Sequence, residues 1–173
     1  EALQTLGYDT LRVFMDLDLK HAAGELRKID PAFVFNLVEA VESSGKLIHL
    51  APALLEHLGI PFTGSPLEAM YVTSHKMLSK SLMVQAGLPT PVWFEMPDGG
   101  RREKDKTYIA KPVWEDASVG ISDSSVISGS KEAIDEFIMK NRQHRYFFEE
   151  YIEGREFNIA ILGGKSGPEV LPM

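Results

Sequence analysis

The chain has 173 residues, 44% of them hydrophobic and 25% charged, and these shares fit a folded globular protein rather than a disordered, collagen-like or coiled-coil chain. The net charge of −7 argues against a nucleic-acid backbone as the main partner, and no apolar run is long enough to span a bilayer. The absence of cysteine excludes disulfides, thiolate metal sites and cysteine nucleophiles.

The first sixty residues alternate between strand-like and helix-like segments. Strands are expected at residues 11–17, 31–37 and 60–62, and helices at residues 19–29 and 47–58. Gly59 is expected to end the second of these helices in a left-handed conformation. The alternation predicts most of a three-layer α/β domain up to about residue 63.

Two more helices are predicted before the composition changes. Ser65, Pro66 and Glu68 form a helix-start pattern, in which a hydroxyl and a carboxylate accept hydrogen bonds from otherwise unpaired amides, so a helix is expected to begin at Pro66. The next helix is expected over residues 74–86. Its inward positions would be Met77, Leu78, Leu82 and Gln85 or Ala86, with Lys76 and Lys80 on another face.

From residue 92 onward the pattern becomes strand-rich. Strands are expected at residues 92–95, 107–112, 124–128, 145–149 and 156–162, and a helix at residues 131–142. In the last strand Phe157, Ile159 and Ile161 would alternate inward. Asp98-Gly99-Gly100 is typical of a turn. Antiparallel strands with one or two helices on a face predict a small α+β unit.

Residues suited to phosphate binding follow the strand at 107–112. Lys111 lies near its end, and the loop beyond contains the small residues Ala117, Ser118 and Gly120. Such a loop can donate backbone amides to a phosphate while the lysine supplies a point charge. A surface lysine followed by an ordinary hairpin loop is the alternative, and this segment alone leaves it open.

A second candidate segment, residues 146–158, is aromatic at its start and acidic after it. Its carboxylate Glu156 can accept hydrogen bonds from two hydroxyls at once, which suits a ribose diol. A solvated acidic hairpin is the alternative. Lys76 is a third candidate, for which a helix-surface charge is the alternative. The five histidines have no metal-like spacing.

Five segments in this order resemble the ATP-grasp ligases, and specifically the D-alanine:D-alanine ligase family. They are LGIPFTGS at 58–65, TSHKML at 73–78, AGLPTP at 86–91, KP with ASVGIS within 111–122, and EEYIEGRE at 149–156. The resemblance is strong from about residue 35 to residue 162. Five ordered motifs are a more specific signal than one glycine loop.

The resemblance implies an α/β plus α+β fold in three parts. A partial Rossmann-like pre-ATP-grasp domain would cover residues 1–75, and the small antiparallel-sheet ATP-grasp subdomain, which binds the nucleotide, residues 76–162. Residues 163–173 would start a truncated C-terminal ATP-grasp subdomain. Both ends of the chain look cut, and the family's metal ligands and its acyl-phosphate arginine are expected beyond Met173, with no secure catalytic residue in the chain itself.

The resemblance also implies a binding site for ATP, with Mg²⁺ expected in the complete protein. Lys76 and Lys111 would grip the phosphates, and the loop over residues 115–122, with Ser118, Val119 and Gly120, would close over them. The adenine would be framed by Glu149, Glu150, Tyr151 and Ile152, partly through backbone groups, and Glu156 would hold the ribose hydroxyls.

The implied reaction joins two amino acids through an acyl phosphate, as in the synthesis of peptidoglycan precursors for the cell wall. The substrates would be small amino acids, the protein would be cytoplasmic, and the family suggests a homodimer. Nucleic acid and membrane are not expected as partners. The chain alone is expected to have little or no ligase activity.

Two departures from the family pattern leave the substrate open. Family members commonly carry serine where Ala117 stands, and residues 38–46 replace a His-Gly and Gly-Glu-Asp-Gly region. The alternatives are an ATP-grasp ligase for another amino acid or peptide, and a non-catalytic ATP-binding module.

Overall fold

The computed structural model describes residues 2–96, 102–115 and 118–172. The α-helices are α1 Ala2–Thr5, α2 Leu19–Ile29, α3 Leu50–Leu58, α4 Leu67–Ser74, α5 Lys76–Gln85 and α6 Lys131–Lys140. The strands are β1 Trp93–Phe94, β2 Thr107–Pro112, β3 Val126–Ser128, β4 Tyr146–Glu150, β5 Ile161–Gly164 and β6 Gly167–Val170. No helix in these ranges is long and apolar enough to cross a membrane.

The amino-terminal part contains the predicted helices but not the predicted strands. Residues 11–17 have no strand pairing, and Leu11, Phe14 and Leu17 are exposed by 72%, 86% and 57%. The strands expected at 31–37 and 60–62 reduce to one parallel bridge between Val34 and Phe62. Strand-forming side chains need a neighbouring strand to pair with, and along residues 11–17 the described chain provides none.

The ends of the helices are set partly by residues far away in sequence. Gly59 ends α3 with φ +68°, as predicted. The expected cap of α4 by Ser65 and Glu68 is wrong, because the helix starts at Leu67 without a side-chain cap at its first position. The amide of Leu67 donates instead to the carboxylate of Glu56, at 2.8 Å, and Glu56 lies on α3.

A four-stranded antiparallel sheet forms the centre of the fold, in the order β1-β4-β2-β3. One face of this sheet packs against Ile134 and Phe137 of α6. The core cluster on this face consists of Phe94, Tyr108, Ala110, Ile134, Phe137, Tyr146 and Phe148. Each large apolar side chain buried here contributes about 1.5–3 kcal/mol, so this cluster fixes the sheet on which the candidate site is built.

The last predicted strand is misplaced. Residues 156–160 are irregular, and the hairpin of β5 and β6 follows as a separate two-stranded sheet. Phe157, Ile159 and Ile161 do not face inward, since they are exposed by 56%, 56% and 63%. The alternating pattern is present in the sequence, but no described layer covers it. The predicted turn at Asp98-Gly99-Gly100 lies outside the described residues.

Candidate functional site

The face of the sheet opposite α6 carries the charged residues of the candidate site. Side chains alternate between the two faces along a strand, so Lys111 on β2 and Glu149 on β4 share this second face. Their strands are neighbours, with Ile109 opposite Glu149 and Lys111 opposite Phe147. Lys111 and Glu149 are therefore diagonal neighbours, and the ammonium of Lys111 forms an ion pair with Oε1 of Glu149.

A second lysine reaches the same carboxylate from helix α5. Nζ of Lys80 lies 2.7 Å from Oε2 of Glu149 and also donates to Oγ1 of Thr90 at 2.6 Å. The side chains of Lys80 and Glu149 are only 8% and 9% exposed, whereas that of Lys111 is 30% exposed. One carboxylate is thus held between a buried ammonium and an accessible one.

The charge of Glu149 depends on these two partners. Burial raises the pKa of its carboxyl group, but the hydrogen bonds and charges of Lys111 and Lys80 act in the opposite direction and together outweigh it. The net result is a pKa below the ordinary value, so Glu149 is ionised at neutral pH. The cluster of Lys80, Glu149 and Lys111, called here the Glu149 cluster, therefore carries a net charge of +1.

Lys76 lies at the start of α5 and contacts the segment after β2. Its backbone amide donates to the carbonyl of Val113 at 3.1 Å, and its ammonium donates to the carbonyl oxygen of Glu115. Trp114 lies between these two acceptors and packs against the ring of His75, with ring centroids 4.1 Å apart. The two lysines predicted to bind phosphate therefore meet at one short segment, residues 111–115. Lys111 begins this segment, and the ammonium of Lys76 donates to the carbonyl of Glu115 at its end.

Two aromatic side chains border the site, each beneath a lysine. Nζ of Lys80 lies 5.1 Å from the ring centroid of Trp93, and Nζ of Lys46 lies 5.7 Å from that of Trp114. Cation–π contacts of this kind are worth about 0.5–1 kcal/mol at exposed positions and more when desolvated. The contact with Trp93 helps to fix the position of the Lys80 ammonium on one side of the cluster.

The small-residue loop makes a tight turn after the segment. Ser118 and Gly120 both have positive φ, +62° and +75°, and the amide of Ile121 donates to the carbonyl of Ser118 at 3.1 Å. A Cβ atom on Gly120 would lie 2.8 Å from Cγ of Pro112 and 3.2 Å from the hydroxyl of Tyr146. Only glycine permits this close approach of the loop to the end of β2. Ser118, Val119 and Gly120 are exposed, and Ala117 lies outside the described residues.

The residues predicted to hold the adenine and ribose are brought together only in part. Glu150 ends β4, and its carboxylate lies 3.3 Å from Nζ of Lys106. Tyr151 and Ile152 follow directly and are exposed by 43% and 65%, with the amide of Tyr151 donating to the carbonyl of Thr107 at 3.0 Å. Glu156 lies on an exposed irregular segment rather than at the start of a strand, which corrects the sequence expectation.

Lys80 is the site residue that the sequence interpretation missed. The helical pattern placed it with Lys76 on a face other than the inward one, yet its side chain is buried against Glu149. Leu82, expected inward, is 40% exposed. A lysine one helical turn after Lys76 was the available signal, because residues four apart lie on one helix face.

The arrangement is suited to an anionic ligand with several phosphates. It offers an accessible ammonium, a net positive charge on a buried cluster and a loop of small residues. In this loop no larger residue could take the place of Gly120 at the same distance from Pro112. Within the described ranges, no group of three or more His, Asp or Glu side chains is arranged to hold a metal ion.

The chain is similar to curated proteins over nearly its whole length. It is 35% identical to the uncharacterized protein y4sG of Sinorhizobium fredii, over 99% of this chain and 52% of that protein. It is 32% identical to the D-alanine--D-alanine ligase of Magnetococcus marinus, over 99% of this chain and 57% of that ligase. The chain thus spans about half the length of these relatives. No protein-family model matches it.

The fold is shared with a solved ligase structure. The L-amino acid ligase of Bacillus licheniformis superposes with a TM-score of 0.58 at 21% identity, over 89% of this chain and 36% of that structure. At this identity the likeness is one of fold. The five ordered motifs, the antiparallel sheet and the named relative agree, and together they support a relationship between this chain and the ATP-grasp ligases of the D-alanine--D-alanine ligase type.

Proposed function

We propose that the chain forms the ATP-binding part of a ligase that joins a carboxylate to an amine. The observation that carries this proposal is the Glu149 cluster, which places the accessible ammonium of Lys111 on the sheet face opposite the core, on the strand that the glycine loop follows. Phosphoryl transfer depends on positioning and charge neutralisation more than on covalent help from the protein. A positively charged cluster with an accessible ammonium is suited to that work.

In this proposal each group has a limited task. ATP supplies the phosphoryl group that activates the carboxylate, and Mg²⁺ accompanies it. Lys111 and Lys76 attract and orient the phosphates, and the loop at residues 118–122 excludes water from them. Glu149, Glu150, Tyr151 and Ile152 border the base, and Glu156 accepts hydrogen bonds from the ribose once its exposed segment folds against the nucleotide.

Nucleotide titration of the chain tests the proposed site. Lys111→Ala is expected to weaken ATP binding by about tenfold, because it removes the accessible positive charge. Glu156→Ala is expected to weaken the binding of ATP but not that of inorganic triphosphate, which lacks the ribose. Glu153→Ala, an exposed carboxylate on the same segment, serves as the matched control. Unchanged ATP affinity in both site variants would reject the assignment.

The substrates we propose are two amino acids, with D-alanine as the first candidate and peptidoglycan precursor synthesis as its setting. This proposal places the protein in the cytoplasm, where ATP is supplied, and allows a homodimer. The curated D-alanine--D-alanine ligase relative supports D-alanine, whereas Ala117 and residues 38–46 depart from that family's pattern. Those departures and the fold shared with an L-amino acid ligase favour another amino acid or peptide as the second candidate.

Phosphate release measured across a panel of amino acids separates the two candidates, with a protein of the relatives' full length as the enzyme. Turnover with D-alanine alone would remove the second candidate. ATP binding without phosphate release for any amino acid would instead favour a non-catalytic ATP-binding module. The 173-residue chain alone is expected to release little phosphate, and dipeptide formation by it at the rate of a whole ligase would contradict that expectation.

A further inference from the structure

The charges of the Glu149 cluster do not cancel. Glu149 has two carboxylate oxygens, and each is taken by a different ammonium, Oε1 by Lys111 and Oε2 by Lys80. Two positive charges and one negative charge leave +1. Lys80 is buried and Lys111 is partly exposed, so the uncompensated charge faces solvent at Lys111.

Without Lys80, the remaining ion pair would be neutral. The carboxylate of Glu149 would then have Lys111 as its single partner in the cluster, and the attraction of that ammonium for an incoming anion would be offset by the adjacent negative charge. Charges in a partly buried cluster interact more strongly than charges in water, because the effective dielectric constant is lower. The presence or absence of Lys80 therefore changes the field felt by a ligand at Lys111.

The structure fixes the position of Lys80 from several sides. Its ammonium donates to Thr90, pairs with Glu149 and lies over the ring of Trp93. Only 8% of its side chain is exposed, so Lys80 is not itself placed to contact a ligand from solution. Its effect on a ligand must act through Glu149.

We propose that Lys80 is a positioning residue for phosphate binding, which holds and neutralises Glu149 so that the charge of Lys111 remains available to the ligand. The inference rests on the proposed nucleotide site and adds to it a residue that does not touch the nucleotide. It assigns to Glu149 a role as the link between the two lysines. The ligand class it concerns is the polyphosphate part of a nucleotide.

The test is calorimetric titration of the chain and its variants with inorganic pyrophosphate and with ADP at low ionic strength. Lys80→Met leaves a net cluster charge of zero and is expected to weaken pyrophosphate binding by about tenfold. Lys80→Met combined with Glu149→Gln restores +1 and is expected to bind within about threefold of the wild type. Glu149→Gln alone separates this role from a purely structural one: its net charge of +2 is expected to strengthen pyrophosphate binding, whereas a structural role predicts weaker binding because Lys80 is left buried without its carboxylate.

Lys140→Met provides the matched control, since it removes one lysine from an exposed pair with Glu136 on α6 and is expected to leave both affinities unchanged. If Lys80→Met does not fold, Glu149→Gln is compared with the double variant instead. The net cluster charge is +2 in Glu149→Gln and +1 in the double variant, so the double variant should bind pyrophosphate several-fold more weakly than Glu149→Gln.

The inference is overturned if the wild-type chain does not bind pyrophosphate. It is also overturned if the affinity for pyrophosphate does not change with the net charge of the Glu149 cluster. The proposed function is tested separately, by comparing the affinity of the chain for ADP with its affinity for pyrophosphate. If ADP binds no more tightly than pyrophosphate while the charge dependence holds, the nucleotide site is rejected and the role of Lys80 stands. If ADP binds more tightly but Lys80→Met changes neither affinity, the nucleotide site stands and the role of Lys80 is rejected.

Discussion

Glu149 couples the stability of the fold to pH at the scale of a single residue. Its pKa in the folded chain lies below the ordinary value of 4.5, because the two lysines outweigh the effect of burial. The stabilisation is therefore fully present above the unfolded-state pKa and is lost as the pH falls through the lower folded-state pKa. The same carboxylate that organises the site is expected to contribute to acid unfolding.

Glu149→Gln should accordingly flatten the pH dependence of stability on the acid side. We expect the free energy of unfolding to decrease less between about pH 6 and pH 3 in this variant than in the wild type, as measured by urea titration. Glu136→Gln is the matched control: Lys140 also lowers the pKa of Glu136, but this pair is exposed and screened by solvent, so the variant should flatten the dependence much less than Glu149→Gln. An unchanged acid slope in Glu149→Gln would show that this carboxylate does not couple folding to pH.

Gly120 and Gly87 allow backbone strain to be separated from a steric clash. Both have positive φ, +75° and +71°, but only at Gly120 would an added Cβ meet other atoms. Gly120→Ala should cost about 1–3 kcal/mol and weaken nucleotide binding, whereas Gly87→Ala should show only the smaller cost of the backbone. Thermal unfolding measures both. Equal losses would mean that the loop moves away from Pro112 without further cost.

At the scale of elements, the packing of the segment after β3 against the start of β2 and the residues before it depends on Gly129. A Cβ atom there would lie 2.1 Å from the carbonyl oxygen of Glu103 and 2.8 Å from the ring of Tyr108. Gly129→Ala is expected to destabilise the fold by at least about 2 kcal/mol. Gly24→Ala, inside α2 with open space around it, should instead stabilise by about 0.5–1 kcal/mol. Chemical unfolding of both variants checks the opposite signs.

The two sheets are expected to differ in local stability. Strands β2 and β4 are central and carry buried side chains, whereas every residue of β5 and β6 is exposed. An isolated two-stranded hairpin is marginally stable in water. Hydrogen exchange should therefore be fast at amides of β5 and β6 and slow at those of β2 and β4. Equal protection of the two sheets would contradict this expectation.

Elements that are determined by nearby residues could be predicted from the sequence, whereas contacts with distant partners could not. Strand β2 was predicted at its observed bounds, since its alternating apolar residues face a core that α6 completes. Residues 11–17 have a similar composition, but the described part of the chain offers them no pairing strand, and composition cannot reveal a missing partner. Lys80 was misplaced because helical spacing gives the face of a residue but not what covers that face. The ion pair with Glu149 joins residues 69 positions apart.

At the scale of the whole molecule, Gly45 connects the amino-terminal part to the site. A Cβ atom on this residue would lie 2.8 Å from the carbonyl oxygen of Trp114 and 3.2 Å from the carboxylate of Glu115. The carbonyl of Glu115 accepts a hydrogen bond from Lys76, so the approach of the two parts and the position of a phosphate-binding lysine are linked.

Gly45→Ala is therefore expected to reduce both stability, by about 1–3 kcal/mol, and nucleotide affinity. Thermal unfolding and calorimetric titration measure the two effects. Gly64→Ala, with a positive φ but no atom near its added Cβ, is the control and should leave the affinity unchanged. Loss of stability with wild-type affinity in Gly45→Ala would show that the contact with Trp114 supports the fold without positioning Lys76.

The two tryptophans give the chain a built-in optical reporter. The sequence contains only Trp93 and Trp114, and each ring lies against a different lysine, Lys80 in one case and Lys46 in the other. A nearby ammonium shifts and quenches indole emission, so each ring should respond to changes on its own side. Trp114→Phe would leave Trp93, whose emission follows the Glu149 cluster. Trp93→Phe would leave Trp114, whose emission follows the Lys76 contact. Neither variant needs an attached dye.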